Sequence, residues 1–366
     1  YGNQVVRGIA QELVDALAEK GACSPHHWCP MHDSVTIYDD EVFKIVAFEK
    51  CLEAGVELLL HTQVIDTNVE NGLLKSVTLF GKGRKMEVSA KVFIDATGDG
   101  DLMAFAGCAY QIGRDADNLC QPMTLCFSIG GVDPAKFDEN QGSIVPLWQE
   151  EKKKGTIRNP MDGIMVFHST FPGIVNLNAT RIVKRNPVDA YDVTAADIEA
   201  REQMVELHEF LKNRVPGFEN SMILSSAVQT GVRESRMIDG EHLLTAEELV
   251  ACTVFEDAIA CGNYDIDIHN PEGSGTSHYF FPAGQYYTIP YRSLIPKNAE
   301  NLLVVGRCIS ATHEAQASIR IMCIVCTLGE AAGTAVSVAV KDGTTTRNVD
   351  VGKLRRTLEQ NGAVIQ

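Results

Sequence analysis

The block Asn301–Gly333, NLLVVGRCISATHEAQASIRIMCIVCTLGEAAG, constrains this chain more than any other stretch. Leu302 to Val305 reads as a short buried strand, and Gly306-Arg307 supplies a tight turn behind it. A polar loop without proline follows, carrying Ser310, Thr312, His313, Ser318 and Arg320, and then a helix rich in small residues. A helix N-terminus gathers unpaired N–H groups and a partial positive charge, so it favours an anionic ligand. Gly329, Ala331, Ala332 and Gly333 let a ligand or a strand approach that helix closely. The arrangement suits a large planar group whose polar edge becomes anionic.

Residues 91–101, KVFIDATGDGD, carry a second signal. An apolar run, Val92 to Ile94, leads into Asp95-Ala96-Thr97-Gly98-Asp99-Gly100-Asp101. Small residues and glycines at a strand end let backbone lie against a ligand without a Cβ clash. In open α/β sheets, ligands sit at the carboxyl ends of strands. Alone, the Ala96-Thr97-Gly98 strand end is weak evidence for a bound cofactor. Together the two blocks point to one, and a reduced flavin has the required anionic edge.

These two blocks, with GVRESRMIDGEHLL at residues 231–244, resemble the FAD-dependent oxidoreductases of the glutathione-reductase-like flavoprotein superfamily. The resemblance runs from QVVRGIAQELVDAL at residues 4–17 to the last helix. It includes EVFKIVAFEKCLEAGVELLLHTQV at residues 41–64, where such proteins run a helix into a strand beside the adenosine, ending here at Val64. The resemblance implies FAD as cofactor and a glutathione-reductase-like α/β fold with a mixed-sheet α+β substrate domain. It does not imply a substrate.

One departure stands out. The superfamily opens with a strand, a GxGxxG turn, a helix and an acidic residue about twenty positions on. Gly81-Lys82-Gly83 and Gly98-Asp99-Gly100 lack the third glycine and the strand–turn–helix setting. The sequence therefore reads as a family member with its N-terminal βαβ unit missing. The alternative to an active enzyme is a truncated or split flavoprotein subunit, non-catalytic and FAD-free without that segment.

Composition narrows the classes further. With 366 residues and 45% hydrophobic content the chain can bury a large core. A net charge of −16 without a basic stripe argues against nucleic acid and against anionic membrane surfaces. No run of eighteen apolar residues occurs, so no membrane span is expected. Eleven irregularly spaced cysteines suggest reduced thiols and a cytoplasmic location.

Amphipathic periodicity predicts helices over 4–20 and 40–54, and strands over 56–61, 63–69, 73–80 and 84–93. Strands are expected over 119–131, 164–184, 222–230 and 287–295, and a helix over 193–214 N-capped by Thr194. The domain organisation expected is a discontinuous, incomplete FAD-binding domain, 1–117 with 296–366, and a substrate or cap domain, 118–295.

The resemblance places Ala96, Thr97, Gly98, Asp99, Gly306 and Arg307 at the cofactor. It brings the backbone of Ser318, Ile319 and Arg320 to the pyrimidine edge of the isoalloxazine. Arg320 either supplies charge there or pairs with Glu314 or Glu330. His313 lies between Arg307 and Arg320, and histidine exchanges protons near neutrality, so it is the candidate general acid–base. Arg233 and Arg292 are candidates to orient a substrate. Arg233, Glu234 and Arg236 also read as a structural charge network. The segment 264–292, rich in Gly, Pro and aromatics, reads as a loop covering the site, with His269, His278, Tyr279, Tyr287 and Tyr291 within reach of substrate.

Two patterns look metal-like and are discounted. Cys23, His26, His27, Cys29 and His32 match no paired ligand spacing. Cys323-Ile324-Val325-Cys326 at a helix start reads as small residues packed beneath the cofactor. No metal is expected. The partners expected are a small-molecule substrate and an electron acceptor that the residues do not identify. A homo-oligomer stays compatible with the chain.

Overall fold

A computed structural model describes residues 4–29 and 33–366. His32 of the Cys23–His32 group lies outside the described residues. Two helices that pack together come first, α1 (Ile9–Glu19) and α2 (Asp40–Glu53). Leu17 and Val46 pack between them with Ala22. Asp39 starts α2 by accepting from the N–H groups of Glu41 and Val42, at 2.9 and 3.2 Å.

Residues 56–61, expected as a strand, are irregular. Val56, Leu59 and Leu60 are about half exposed, at 48%, 54% and 55%. A strand needs a neighbour for its backbone N–H and C=O groups, and none of the described residues pairs with this segment. The meander that follows is β1 (Thr62–Glu70), β2 (Leu73–Gly81) and β3 (Arg84–Ser89), antiparallel throughout. Buried Leu74 and Val77 place the central strand over the core. Val64 packs against the same core from β1.

β4 (Phe93–Asp95) then runs parallel to β11 (Leu302–Val304), with Leu302 opposite Phe93 and Val304 opposite Asp95. Leu302, Leu303 and Val304 are wholly buried, which explains why β11 reads as a continuous apolar run without alternation. Asn301 ties this pair to the meander. Its side-chain oxygen accepts from Leu74 N and its amide donates to Leu74 O, both at 2.9 Å.

The middle of the chain builds a four-stranded sheet in the order β8 (Met222–Ser226), β5 (Phe127–Gly130), β7 (Ile174–Leu177), β6 (Val166–His168). Every pairing in it is antiparallel, where a mixed sheet was expected. The strands are also shorter than the apolar runs that announced them. Its core joins Phe127, Ile129, Val175 and Leu177 to Phe137, Trp148, Leu207 and Leu211. α3 (Ala190–Arg214) covers it and begins four residues before the expected cap. Asp189 is the N-cap, accepting from Tyr191 N and Asp192 N, while Thr194 sits inside the helix and donates to Ala190 O at 2.7 Å.

The segment expected as a covering loop is instead structured around its middle, where β9 (Ile266–His269) and β10 (Thr276–Tyr279) form a hairpin; Tyr287–Pro290, inside the strand expected over 287–295, pairs with Ala258–Gly262. These strands share a core with α4 (His313–Ile319), α5 (Met322–Asp342) and α6 (Val351–Gln360). By length and apolarity α5 would be able to cross a membrane. Here Ile324, Leu328, Ala331, Ala332, Ala335 and Val338 bury one of its faces in the protein core.

Candidate functional site

The carboxyl ends of β4 and β11 lie side by side, and the two glycine-bearing turns that follow them meet. Asp95 organises the first turn. Its carboxylate accepts from Thr97 N at 3.0 Å, Thr97 Oγ1 at 2.7 Å and Met103 N at 2.8 Å. Gly98 adopts φ +83°, and a Cβ there would stand 2.7 Å from the Arg307 guanidinium. Arg307 Nη2 reaches Asp99 Oδ1 at 2.6 Å, and Cys308 Sγ donates to Gly98 O at 2.7 Å. Arg236 closes the group, donating to Asp99 O at 2.9 Å and Asp101 Oδ1 at 2.8 Å. Arg307 is thus in a partly buried ion pair across the two turns. Ala96 and Thr97 are exposed beside it.

The loop-then-helix expectation for 306–333 needs correction. His313 is not in the loop; it is the first residue of α4, which Thr312 caps by accepting from Ala315 N at 3.3 Å. The helix stops at Arg320 and a new one, α5, starts at Met322. No side chain caps the start of α5, and Met322 and Cys323 are exposed there. Ser318 and Ile319 face the core, not the break. Ser318 Oγ donates to Tyr264 O at 2.6 Å and is 2.7 Å from Tyr287 Oη.

His313 Nδ1 lies 2.8 Å from Glu234 Oε1, and the other carboxylate oxygen accepts from Gln121 N at 2.8 Å. Gln316 Nε2 donates to Arg233 O at 2.8 Å and its oxygen accepts from Gln121 Nε2 at 3.1 Å. Gln121 and Gln316, both fully buried, carry no pattern in the sequence that marks them out. An amide on the buried face of a short helix looks like any other break in an apolar run. His313 borders a cleft of about 440 Å³ lined also by Arg114, Asn270, Ser274, Thr276 and Ser277.

Arg233 is not on a strand, and the residue is partly buried. Nη1 donates to Pro122 O at 2.6 Å and to Thr124 Oγ1. Burial, reinforced by the nearby Arg320 charge, pulls its pKa down to about 9. Arg320 pairs with Asp267, at 3.4 Å, and not with Glu314 or Glu330. Glu330 instead accepts from Ile9 N at 3.0 Å. Arg292 is bound by Asp257, with Nε at 2.9 Å from Oδ2, and among the described residues makes no hydrogen bond to the His313 group. Tyr287 and Tyr291 are buried at 0% and 1% exposure, with Tyr287 Oη 2.7 Å from Ser318 Oγ and Tyr291 Oη donating to Thr346 O at 2.7 Å.

A family profile described as FAD dependent oxidoreductase matches residues 1–358. The chain belongs to this family. Membership in this family makes FAD the cofactor. No curated protein sequence matches the chain. Among solved structures it is similar to p-nitrophenol 4-monooxygenase PnpA from Pseudomonas putida DLL-E4, at 10% identity and TM-score 0.44, covering 90% of this chain and 62% of that one. The flavin-dependent brominase Bmp2 is similar at 11% identity and TM-score 0.45, covering 98% and 74%. A geranylgeranyl bacteriochlorophyll reductase-like protein from Thermoplasma acidophilum is similar at 12% identity and TM-score 0.43, covering 97% and 71%. The chain spans less than two thirds of the monooxygenase's length.

The residues present fit an anionic planar cofactor. The Nε atoms of Arg307 and Arg320 are buried without a hydrogen-bond partner. The start of α5, 21 residues long, offers N–H groups that no side chain caps. Gly306 has φ +89° with open space where a Cβ would stand, so ligand can approach the backbone of the turn.

Proposed function

We propose that this chain carries out two-electron redox chemistry on a small organic substrate, with His313 moving the proton that accompanies hydride transfer. Bound FAD supplies the two-electron donor or acceptor at its N5 position. Arg307, Gly306, the Ala96–Asp99 turn and the uncapped start of α5 would hold it. Glu234 is the anchor of the reading. It is wholly buried, at 0% exposure, and fixes the imidazole through Nδ1. That contact leaves Nε2 as the ring atom for proton exchange with a substrate in the adjoining cleft. Asn270, Thr276 and Ser277 line the same cleft and give a polar substrate hydrogen-bonding partners.

Arg233 is a positioning residue in this scheme. Its carbonyl holds Gln316 and its guanidinium pins the 122–124 backbone, which carries Gln121 and thereby Glu234. None of the eleven cysteines is in a disulfide, which supports a reducing, cytoplasmic setting.

The single observation carrying the proposal is the buried Glu234–His313 pair opening onto a cleft. It is tested by following flavin absorbance under anaerobic reduction with a panel of small hydroxy, amino and enoate compounds. His313→Gln should retain bound flavin and lose substrate-dependent reduction. Unchanged reduction rates in that variant would remove His313 from the chemistry.

A further inference from the structure

The β9–β10 hairpin carries a second constellation, outside the Glu234–His313 pair. Asp267 on β9 stands directly opposite His278 on β10. Successive residues of a strand face opposite sides, so Asp265 and His269, two positions either way, share that face with Asp267. The alternate residues Ile266 and Ile268 turn the other way, into the core formed with α4 and α5. Asp265, Asp267 and His269 are buried at 5%, 7% and 9% exposure, while the His278 side chain keeps 30%.

The donor atoms of Asp265, Asp267 and His278 all lie within 4.8 Å of one another. His278 Nδ1 is 2.6 Å from Asp265 Oδ2 and 3.7 Å from Asp267 Oδ1. Asp267 Oδ1 is buried and has no hydrogen-bond partner among the described residues. The opposite oxygen, Oδ2, is the one occupied, by His269 Nε2 at 3.1 Å and Arg320 Nη2 at 3.4 Å. A buried carboxylate oxygen without a donor is costly, because it gives up water and gains nothing. The side chain is fixed from behind and presents its spare oxygen toward His278 and Asp265.

We propose that Asp265, Asp267 and His278 form a binding site for a divalent transition-metal ion of the zinc class. Such an ion takes carboxylate oxygens and imidazole nitrogen at about 2.0–2.2 Å in a tetrahedral set. That requires donors about 3.3 Å apart, so the His278–Asp265 contact opens slightly and the wider separations close by side-chain rotation. Few oxygen donors and one nitrogen favour this class over calcium or magnesium, which want six or more oxygens or a hydrated octahedral shell. Two carboxylates balance the charge of one divalent ion, and Arg320 on the far oxygen holds Asp267 in place. His278 would ligate through Nδ1, the ring nitrogen that faces Asp265, in the tautomer that carries its proton on Nε2. Solvent reaches the site on the exposed His278 side, which leaves the fourth position for water.

The test uses the full chain as isolated, stripped of metal by chelator and titrated with Zn²⁺ by calorimetry. One Zn²⁺ should bind per chain at this site, with affinity falling as pH drops because protons compete for the ligands. Asp267→Asn and His278→Gln should each weaken binding at least about tenfold. His278 is exposed, so His278→Gln remains informative even where Asp267→Asn unfolds. A Cys23→Ser, Cys29→Ser variant serves as the control for the other His/Cys-rich stretch and should bind Zn²⁺ as the parent does. Absence of binding, or binding that follows the cysteine variant and ignores His278→Gln, overturns the proposal. The readout does not depend on flavin or on turnover.

Discussion

Glu234 Oε1 accepts the only hydrogen bond found at His313 Nδ1 among the described residues, at 2.8 Å, and the carboxylate behind it is sealed from solvent. An imidazole held this way has one tautomer when neutral and keeps a fixed orientation. Removing it should cost rate rather than fold. In His313→Ala, flavin content is expected to match the parent while substrate-dependent flavin reduction slows by about 10²–10⁴. Glu234→Gln should slow it too and alter its pH dependence, which a purely structural effect would leave in place. Stopped-flow absorbance across pH separates the two.

Gly98 is the second test. Its φ of +83° disfavours any L side chain, and a Cβ would meet Arg307 Nη1 at 2.7 Å. Gly98→Ala should therefore displace Arg307 from Asp99, lower stability by about 1–3 kcal/mol and reduce flavin retention on gel filtration. Gly306→Ala meets no neighbouring atom, so backbone strain is its sole cost within the protein. A parent-like melting temperature in Gly98→Ala would show that the two turns do not depend on each other.

Acid stability should carry the mark of His269. Burial drives its pKa down to about 4 from the ordinary 6.5, against the opposing pull of Asp267. The unfolded chain then binds this proton more readily than the folded one. Stability from this group is complete above about pH 6.5 and is lost as pH falls toward about 4, by up to about 3 kcal/mol. Thermal melts in that window should flatten in His269→Gln relative to the parent. An equal slope in both would assign the acid sensitivity elsewhere.

Trp148 anchors the middle sheet. It is fully buried, packs edge-on to Phe210 at 5.1 Å and donates from Nε1 to Met161 O at 2.9 Å. Trp148→Ala should cost about 3–5 kcal/mol, read by denaturant melts, and leave the Arg307–Asp99 pair untouched.

Much of the half that carries the two glycine-bearing turns was legible in the sequence. Buried parallel strands write themselves as unbroken apolar runs, and β11 did; β4 begins in the apolar run Val92 to Ile94, though its Ile94 is 37% exposed. The glycines after them marked where backbone had to turn, and the two turns do meet through Arg307 and Asp99. What stayed hidden depended on partners distant in the chain. Residues 56–61 have strand composition but no neighbour to pair with among the described residues. Thr194 and Asp189 are both good caps by type, and only the chain's path to α3 decides between them. The break at Arg320 lacks a glycine or proline to announce it. Gln121, Gln316 and Glu234 act as a group because three distant segments bury them together, which periodicity cannot show.

The hairpin at Ile266–Tyr279 has a further consequence for how this chain can vary. Asp265, Asp267 and His269 alternate with Ile266 and Ile268 along one strand, and strand faces repeat every second residue. Losing one residue before Ile266 would swap the two sets, driving the isoleucines into the polar group and three ionisable side chains into the apolar core. The length of the connection from Gly262 is therefore set by parity. Insertions or deletions there should be tolerated in twos far more readily than in ones.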